Sequence, residues 1–125
     1  MNKRKLGAKY EEMAARFLAA HGVKILEQNF RNRLGEIDLI ARDGKYTVFI
    51  EVKYRTGEGA GAPEEAVNAK KMWTICRVSD YYRRIHHLSD ETPIRYDVLA
   101  ILRDAKEEVI ENTDIRWYKD AFPYI

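Results

Sequence analysis

One segment constrains the fold of this chain more than any other. Two runs of alternating apolar and polar residues, 36–42 and 45–54, meet at Asp43-Gly44. Aspartate-glycine between alternating runs is a strong hairpin signal, because glycine accepts the positive φ that a tight turn demands. With Asp43-Gly44 as the two turn residues, opposed positions carry numbers summing to 87. One face then holds Ile37, Leu39, Ala41, Tyr46, Val48, Ile50, Val52 and Tyr54, all apolar. A slip of one residue would scramble that face, so the pattern itself supports the pairing.

The other face reads Glu36, Asp38, Ile40, Arg42, Lys45, Thr47, Phe49, Glu51 and Lys53. In this register Glu36 lies opposite Glu51, at about 5 Å between Cβ atoms, with Asp38 on the diagonal. Like charges placed opposite each other destabilise a sheet unless they face open water or share a cation. A solvated outer face is the plain reading. Against it, Ile40 and Phe49 on the same face call for cover, which the first helix can supply. At 100° per residue, Glu11 falls about 20° past Leu18 at the edge of that helix's apolar arc, while Glu12 points away. Glu11 is thereby a fourth candidate carboxylate, or else a solvated border residue. Clustered carboxylate oxygens without soft ligands suit a hard cation such as Mg²⁺, with Mn²⁺ as a substitute. Lys53 beside them would orient a water and offset charge on a phosphoryl oxygen, the toolkit for metal-assisted attack on a phosphodiester.

The rest of the chain completes an alternating order. Residues 5–21 carry Leu6, Tyr10, Met13, Ala14, Phe17, Leu18 and His21 at helical spacing, with Gly22 as the stop. A strand is expected at 23–30, then a polar connection at 31–35. A Gly-rich loop at 56–62 lacks the Gly-Lys-Ser/Thr ending of a phosphate cradle. Pro63 with Glu64-Glu65 opens a second helix running to about Leu88. Strands are expected at 94–102 and 107–111, while the tail 117–125 fits no single element. A helix between residues 54 and 94 is long enough to make those flanking strands parallel. The fold expected is α/β: a three-layer α/β/α single domain over 1–125, around a mixed sheet of about five strands.

Charge and cysteine content narrow the function classes. The net charge is +2, but residues 1–88 hold 17 Lys/Arg against 11 Asp/Glu while 89–125 hold 5 against 9. A basic front and an acidic tail hint at a polyanion partner. The single Cys76 cannot form an internal disulfide, and no zinc spacing exists. No signal peptide and no run approaching ~20 apolar residues is present, so a cytoplasmic location without membrane association is expected.

Gly35-Glu36-Ile37-Asp38-Leu39-Ile40-Ala41 followed by Val48-Phe49-Ile50-Glu51-Val52-Lys53 resembles the PD-(D/E)XK nuclease core in its YraN-like variant, a family of small bacterial proteins. Leu6-Gly7, Glu11 and Ala14 look like that family's first-helix motif, and Asn29-Phe30-Arg31 precedes the core as in its pattern. Val67, Lys71 and Ile75 look like its second helix, and Arg95-Tyr96-Asp97-Val98 like its late strand. The resemblance implies a restriction-endonuclease-like fold. It further implies Asp38 and Glu51 as metal ligands, the Val52 carbonyl as an additional ligand, and Lys53 in catalysis. Glu11 would extend the metal site and Glu36 would be its acidic neighbour. Tyr10 stands where the family commonly has glycine, which would tighten the space around Glu11.

Lys71 sits inside the second helix's apolar stripe of Val67, Thr74, Ile75, Val78, Tyr82 and Ile85. It either snorkels or aims its ammonium at an active-site carboxylate or a substrate phosphate. Arg31, Arg33 and Arg55 border the same end and are candidates to hold a nucleic-acid backbone. Cys76 lies off the stripe, His86 and His87 point apart, His21 suits a helix C-terminus, and Arg95 pairs most simply with Asp97.

Three function classes follow. The first is a Mg²⁺-dependent nuclease acting on DNA, with branched or structured DNA as the substrate that small relatives of this fold use. The second is a nucleic-acid-binding module that cleaves weakly or with a partner. The third is a structural interaction protein. Cutting both strands would require a homodimer, for which the aromatic tail offers a surface.

Overall fold

Residues 3–56, 67–103 and 113–125 are described by the computed structural model, with side chains from Gly7 onward except that of Thr56. Over these, the elements run α1 (Lys3–Ala20), β1 (Lys24–Asn32), β2 (Gly35–Asp43), β3 (Tyr46–Thr56), α2 (Ala69–Ile85), β4 (Ile94–Arg103) and β5 (Asp114–Tyr118). The expected Gly-rich loop, the helix start at Pro63 and the strand at 107–111 lie outside the described residues. The strands form one sheet in the order β1-β2-β3-β4-β5, antiparallel except for the parallel pair β3–β4. A five-strand mixed sheet with a helix on each face is consistent with a restriction-endonuclease-like fold. Strand β5 begins before the expected tail: Asp114–Tyr118 pairs with β4, from Leu102↔Asp114 to Val98↔Tyr118.

Local chemistry sets the turns. Gly22 ends α1 at φ +82°, and the Val23 N–H returns to the Leu18 carbonyl at 3.0 Å. Between β1 and β2, the Asn32 side-chain oxygen accepts from the N–H groups of Leu34 (2.8 Å) and Gly35 (3.3 Å). The central hairpin turns at Gly44-Lys45, with Gly44 at φ +61° and Asp43 opposite Tyr46. Opposed numbers therefore sum to 89 rather than 87. The shift is two residues, so most side chains keep the expected face but all change partners.

The two helices take opposite sides. Tyr10, Ala14 and Leu18 of α1 pack on Leu39, Ala41, Val48, Ile50, Leu99 and Ile101. Ile75, Cys76, Val78 and Tyr82 of α2 pack on Ile40, Phe49, Tyr96 and Val98. The cover over Ile40 and Phe49 thus comes from α2, not from the first helix. Cys76 is fully buried in that layer, whereas Ile85 is exposed. The buried arc is rotated from the expected stripe to include Cys76 and Ser79, which donates to the Cys76 carbonyl and bonds the Tyr96 hydroxyl at 2.7 Å. Ile37 also departs from its expected face and joins the α2 layer with Phe30.

Asp97 ties the far end together. It is 0% exposed and takes hydrogen bonds from Arg95 Nε and Nη2, Trp117 Nε1 and the Asp120 N–H, all at 2.9 Å. Arg95 also reaches Asp43 at 2.8 Å, linking the hairpin turn to β4. The expected Arg95–Asp97 pair is present. Since losing one partner of a buried pair leaves an uncompensated charge, Asp97→Ala should cost about 3–5 kcal/mol, measured by urea denaturation.

Helix α2 sits close to β2 because Gly35 has no side chain. A Cβ there would lie 2.4 Å from Thr74 Cγ2. Gly35→Ala should therefore destabilise by about 1–3 kcal/mol. Thr74→Ser removes the obstructing methyl while keeping the hydroxyl that donates to the Lys70 carbonyl. The double variant should recover most of the loss, as read from thermal midpoints of all four proteins.

Candidate active site

The β2–β3 ladder runs from Asp43↔Tyr46 to Leu39↔Ile50 and stops there. At the next position the Asp38 side chain takes over: its Oδ2 accepts the Val52 N–H at 2.8 Å. The carboxylate nearest Glu51 across the hairpin is accordingly Asp38, and the expected Glu36–Glu51 opposition is corrected by the two-residue shift of register.

Glu36 belongs instead to a second group. One oxygen each from Glu11, Glu36 and Asp38 lie within 4.8 Å of one another. Arg31 Nη2 stands 3.6 Å from Glu36 Oε1. Glu11 arrives from α1, on the side of the sheet opposite α2. Its carboxyl is held above the usual range by burial first and by the Asp38 charge next, with a hydrogen bond from Asn29 opposing. Asn29 was not among the expected site residues. Its signal lies in the backbone: it sits at φ +55°, a left-handed conformation that asparagine tolerates better than most residues. Tyr10 is buried one position from Glu11 and stacks on Tyr54 with centroids 4.4 Å apart.

Glu51 faces α2 and is only 4% exposed. Its Oε1 is 3.6 Å from Lys53 Nζ and 3.5 Å from Lys71 Nζ, while its buried Oε2 has no hydrogen-bond partner. Of the two readings of Lys71, the structure shows the ammonium aimed at a carboxylate. Asn68 fixes the start of α2 by accepting the Lys71 N–H at 2.9 Å. Burial pushes the Glu51 carboxyl up to about 7, the Asp38 charge adds to this, and the two lysines pull the other way. Asp38 is likewise raised, mainly by burial, with the Val52 N–H and Lys71 opposing.

The expected ligand set is thus split around a shared corner. Asp38 lies with Glu11 and Glu36 on one side and interacts electrostatically with Glu51 on the other. Val52 supplies its N–H to Asp38. Arg55, exposed, follows Lys53 on β3 and lines a shallow groove with Val52, Lys53 and Tyr54. Arg33 is not brought to the carboxylates; it lines a separate groove with Arg77, Tyr81 and Arg84.

The raised Glu51 carboxyl gives a sign for stability. An unfolded glutamate loses its proton near 4.5, the folded one near 7. Between these the unfolded chain binds fewer protons, so the contribution of Glu51 is most favourable below about 4.5 and is lost as pH rises through about 7. In EDTA, Glu51→Gln should therefore gain stability over the unaltered protein from pH 5 to 8 and change little beyond, measured as urea midpoints.

A family model described as uncharacterised protein family UPF0102 matches residues 10–101. The chain is 42% identical over 122 residues to a UPF0102 protein of Lachnoclostridium phytofermentans, covering 98% of this chain and 96% of that one. It is 44% identical over 122 residues to one from Caldicellulosiruptor bescii, covering 98% and 100%. A UPF0102 protein of Thermodesulfovibrio yellowstonii is 46% identical over 112 residues, covering 90% and 97%. No helix among the described residues is long and apolar enough to cross a membrane. The chain belongs to uncharacterised protein family UPF0102, the YraN family its core motif resembles.

Proposed function

We propose that this protein is a divalent-metal-dependent nuclease that hydrolyses DNA phosphodiester bonds, with branched or structured DNA as its substrate. The observation that carries this reading is Glu51: a nearly buried carboxylate with one oxygen unpartnered, placed beside Asp38 and two lysines. A purely structural carboxylate at this depth would be satisfied on both oxygens. The donors are all hard oxygens, and burial plus mutual repulsion hold three of them above their ordinary range. That environment fits Mg²⁺ or Mn²⁺.

Asp38 and Glu51 would hold the ion, with the Val52 carbonyl as a further ligand and Glu11 and Glu36 extending the site. When bound, it would supply Lewis-acid stabilisation of phosphoryl charge and a more acidic water. Lys53, through its ammonium, donates hydrogen bonds to the attacking water or to the developing phosphoryl charge. Lys71 holds Glu51 in place from α2. Arg31 and Arg55, at the rim, position the phosphate backbone and carry no base preference.

Asp38→Ala, Glu51→Ala and Lys53→Ala should each lower Mn²⁺-dependent cleavage by about 10²–10⁴-fold with circular dichroism unchanged. The assay is a panel of single-stranded, duplex, flap and four-way DNA. Equal cleavage by all three variants and the unaltered protein would overturn the proposal. Binding without turnover in either metal would favour a nucleic-acid-binding module of the same fold.

A further inference from the structure

The outward face of α2 carries a stripe that the carboxylate site does not use. Lys70, Trp73, Arg77, Tyr81 and Arg84 recur at three- and four-residue steps and lie opposite the buried Ile75, Ser79 and Tyr82. Trp73 is 48% exposed, an unusual position for a tryptophan on a helix whose other face supplies the core. The Arg77 guanidinium lies 5.5 Å from the Trp73 ring and 5.1 Å from that of Tyr124. It is occupied there by Asp80 at 3.1 Å and by the Ile125 carbonyl at 2.5 Å, which neutralises Asp80 and fixes the chain end against α2. Arg84 lies over Tyr81 at 5.8 Å. Arg33, from the β1–β2 turn, joins Arg77, Tyr81 and Arg84 in lining one groove, where the one acid is the Asp80 that Arg77 neutralises. Among the described residues, Lys70, Arg33 and Arg84 pair with no carboxylate.

We infer that this stripe is a binding track for a single-stranded DNA tail that leads into the carboxylate site. Trp73 is the exposed ring of the stripe, with Tyr81 half-buried against Phe30, and Lys70, Arg33 and Arg84 are its cations without a carboxylate partner among the described residues. An open ring to stack a base and free cations to neutralise phosphates are the two elements that hold a single strand. The track starts at Lys70, whose neighbour Lys71 reaches Glu51. From Lys70 to Arg84 the helix rises about 21 Å, matching about six nucleotides at the ~3.4 Å per phosphate of a stacked strand. The inference rests on the nuclease reading only for what lies at the end of the track, and narrows its substrate to DNA with a single-stranded arm.

Fluorescence anisotropy in EDTA, where no cleavage occurs, tests it with a labelled duplex that is blunt or carries a six-nucleotide thymidine tail at its 5′ or 3′ end. One tailed form should bind at least tenfold more tightly than the blunt form. Trp73→Ala should reduce that preference by ~5- to 150-fold, the range for loss of one stacked base. Trp73→Phe should retain most of it, because the ring is kept. Tail binding should quench tryptophan emission, and that quenching should disappear in Trp73→Phe. Arg33→Glu with Arg84→Glu should weaken tail binding and flatten its salt dependence. Equal affinity for blunt and both tailed forms, or an intact tail preference in Trp73→Ala, would overturn the inference. Failure of the nuclease reading would appear instead as unchanged cleavage by the Asp38, Glu51 and Lys53 variants, a separate measurement.

Discussion

The hydrogen bond from the Val52 N–H to Asp38 Oδ2 is the constraint on which the site depends. A hairpin ladder ordinarily gives each inward N–H a carbonyl on the facing strand. Here the ladder ends at Leu39↔Ile50, and a side-chain carboxylate accepts the next N–H. That exchange lets β2 and β3 part without orphaning backbone. It also fixes a carboxylate in the gap, where burial raises its pKa. Past this point Ile37 packs toward α2, Gly35 meets Thr74, and Glu36 meets Glu11 from the α1 side. One local substitution of acceptor thus separates the acids into two groups that share Asp38.

The same sheet contains a counterexample that clarifies what is unusual about Glu51. Asp97 stands opposite Ile50, one register position from Glu51, and both carboxylates are almost completely buried. Asp97 has four hydrogen bonds covering both oxygens, from a guanidinium, an indole and a backbone N–H. Its ring of donors joins β4, β5 and the hairpin turn, the arrangement of a structural acid. Glu51 has two ammonium groups at 3.5–3.6 Å sharing one oxygen, and nothing on the other. Equal burial with unequal satisfaction separates an acid that holds the fold from one left available.

Much of this was legible in the residues, and the exceptions have physical causes. Alternation in the hairpin gave the faces correctly for Leu39, Ala41, Val48 and Ile50, because a register error of two leaves parity intact. It could not give partners: Asp43-Gly44 and Gly44-Lys45 turns satisfy the same pattern, and only Gly44 at φ +61° is common to both. Ile37 departs from the parity rule where the β2–β3 ladder has already ended at Leu39↔Ile50, an end that periodicity does not mark. Alternation shows that the Ile40 and Phe49 face needs cover but not which helix supplies it, and α2 rather than α1 lies there. Strand β5 was hidden because Asp114–Tyr118 mixes charged and aromatic residues, and its place comes from pairing with β4 and from Trp117 reaching Asp97. Asn29 was passed over since its role depends on a left-handed backbone that no spacing encodes.

The charge balance of the site bears on the proposed reading more directly than the net charge of the chain. Four carboxylates, Glu11, Glu36, Asp38 and Glu51, are met by three cations, Arg31, Lys53 and Lys71. The deficit is one positive charge, and it stands beside Glu51, whose carboxyl is driven up to about 7 by burial first and by the Asp38 charge next. A fourth lysine would close the deficit permanently and leave Glu51 an ordinary buried ion pair. A divalent cation would reverse it instead, changing the local sum from −1 to +1. On the proposed reading this is how an acidic cluster becomes attractive to a phosphodiester, which the four carboxylates alone would repel. Arg31, Lys53 and Lys71 are then too few to satisfy the acids and enough to keep the loaded site positive.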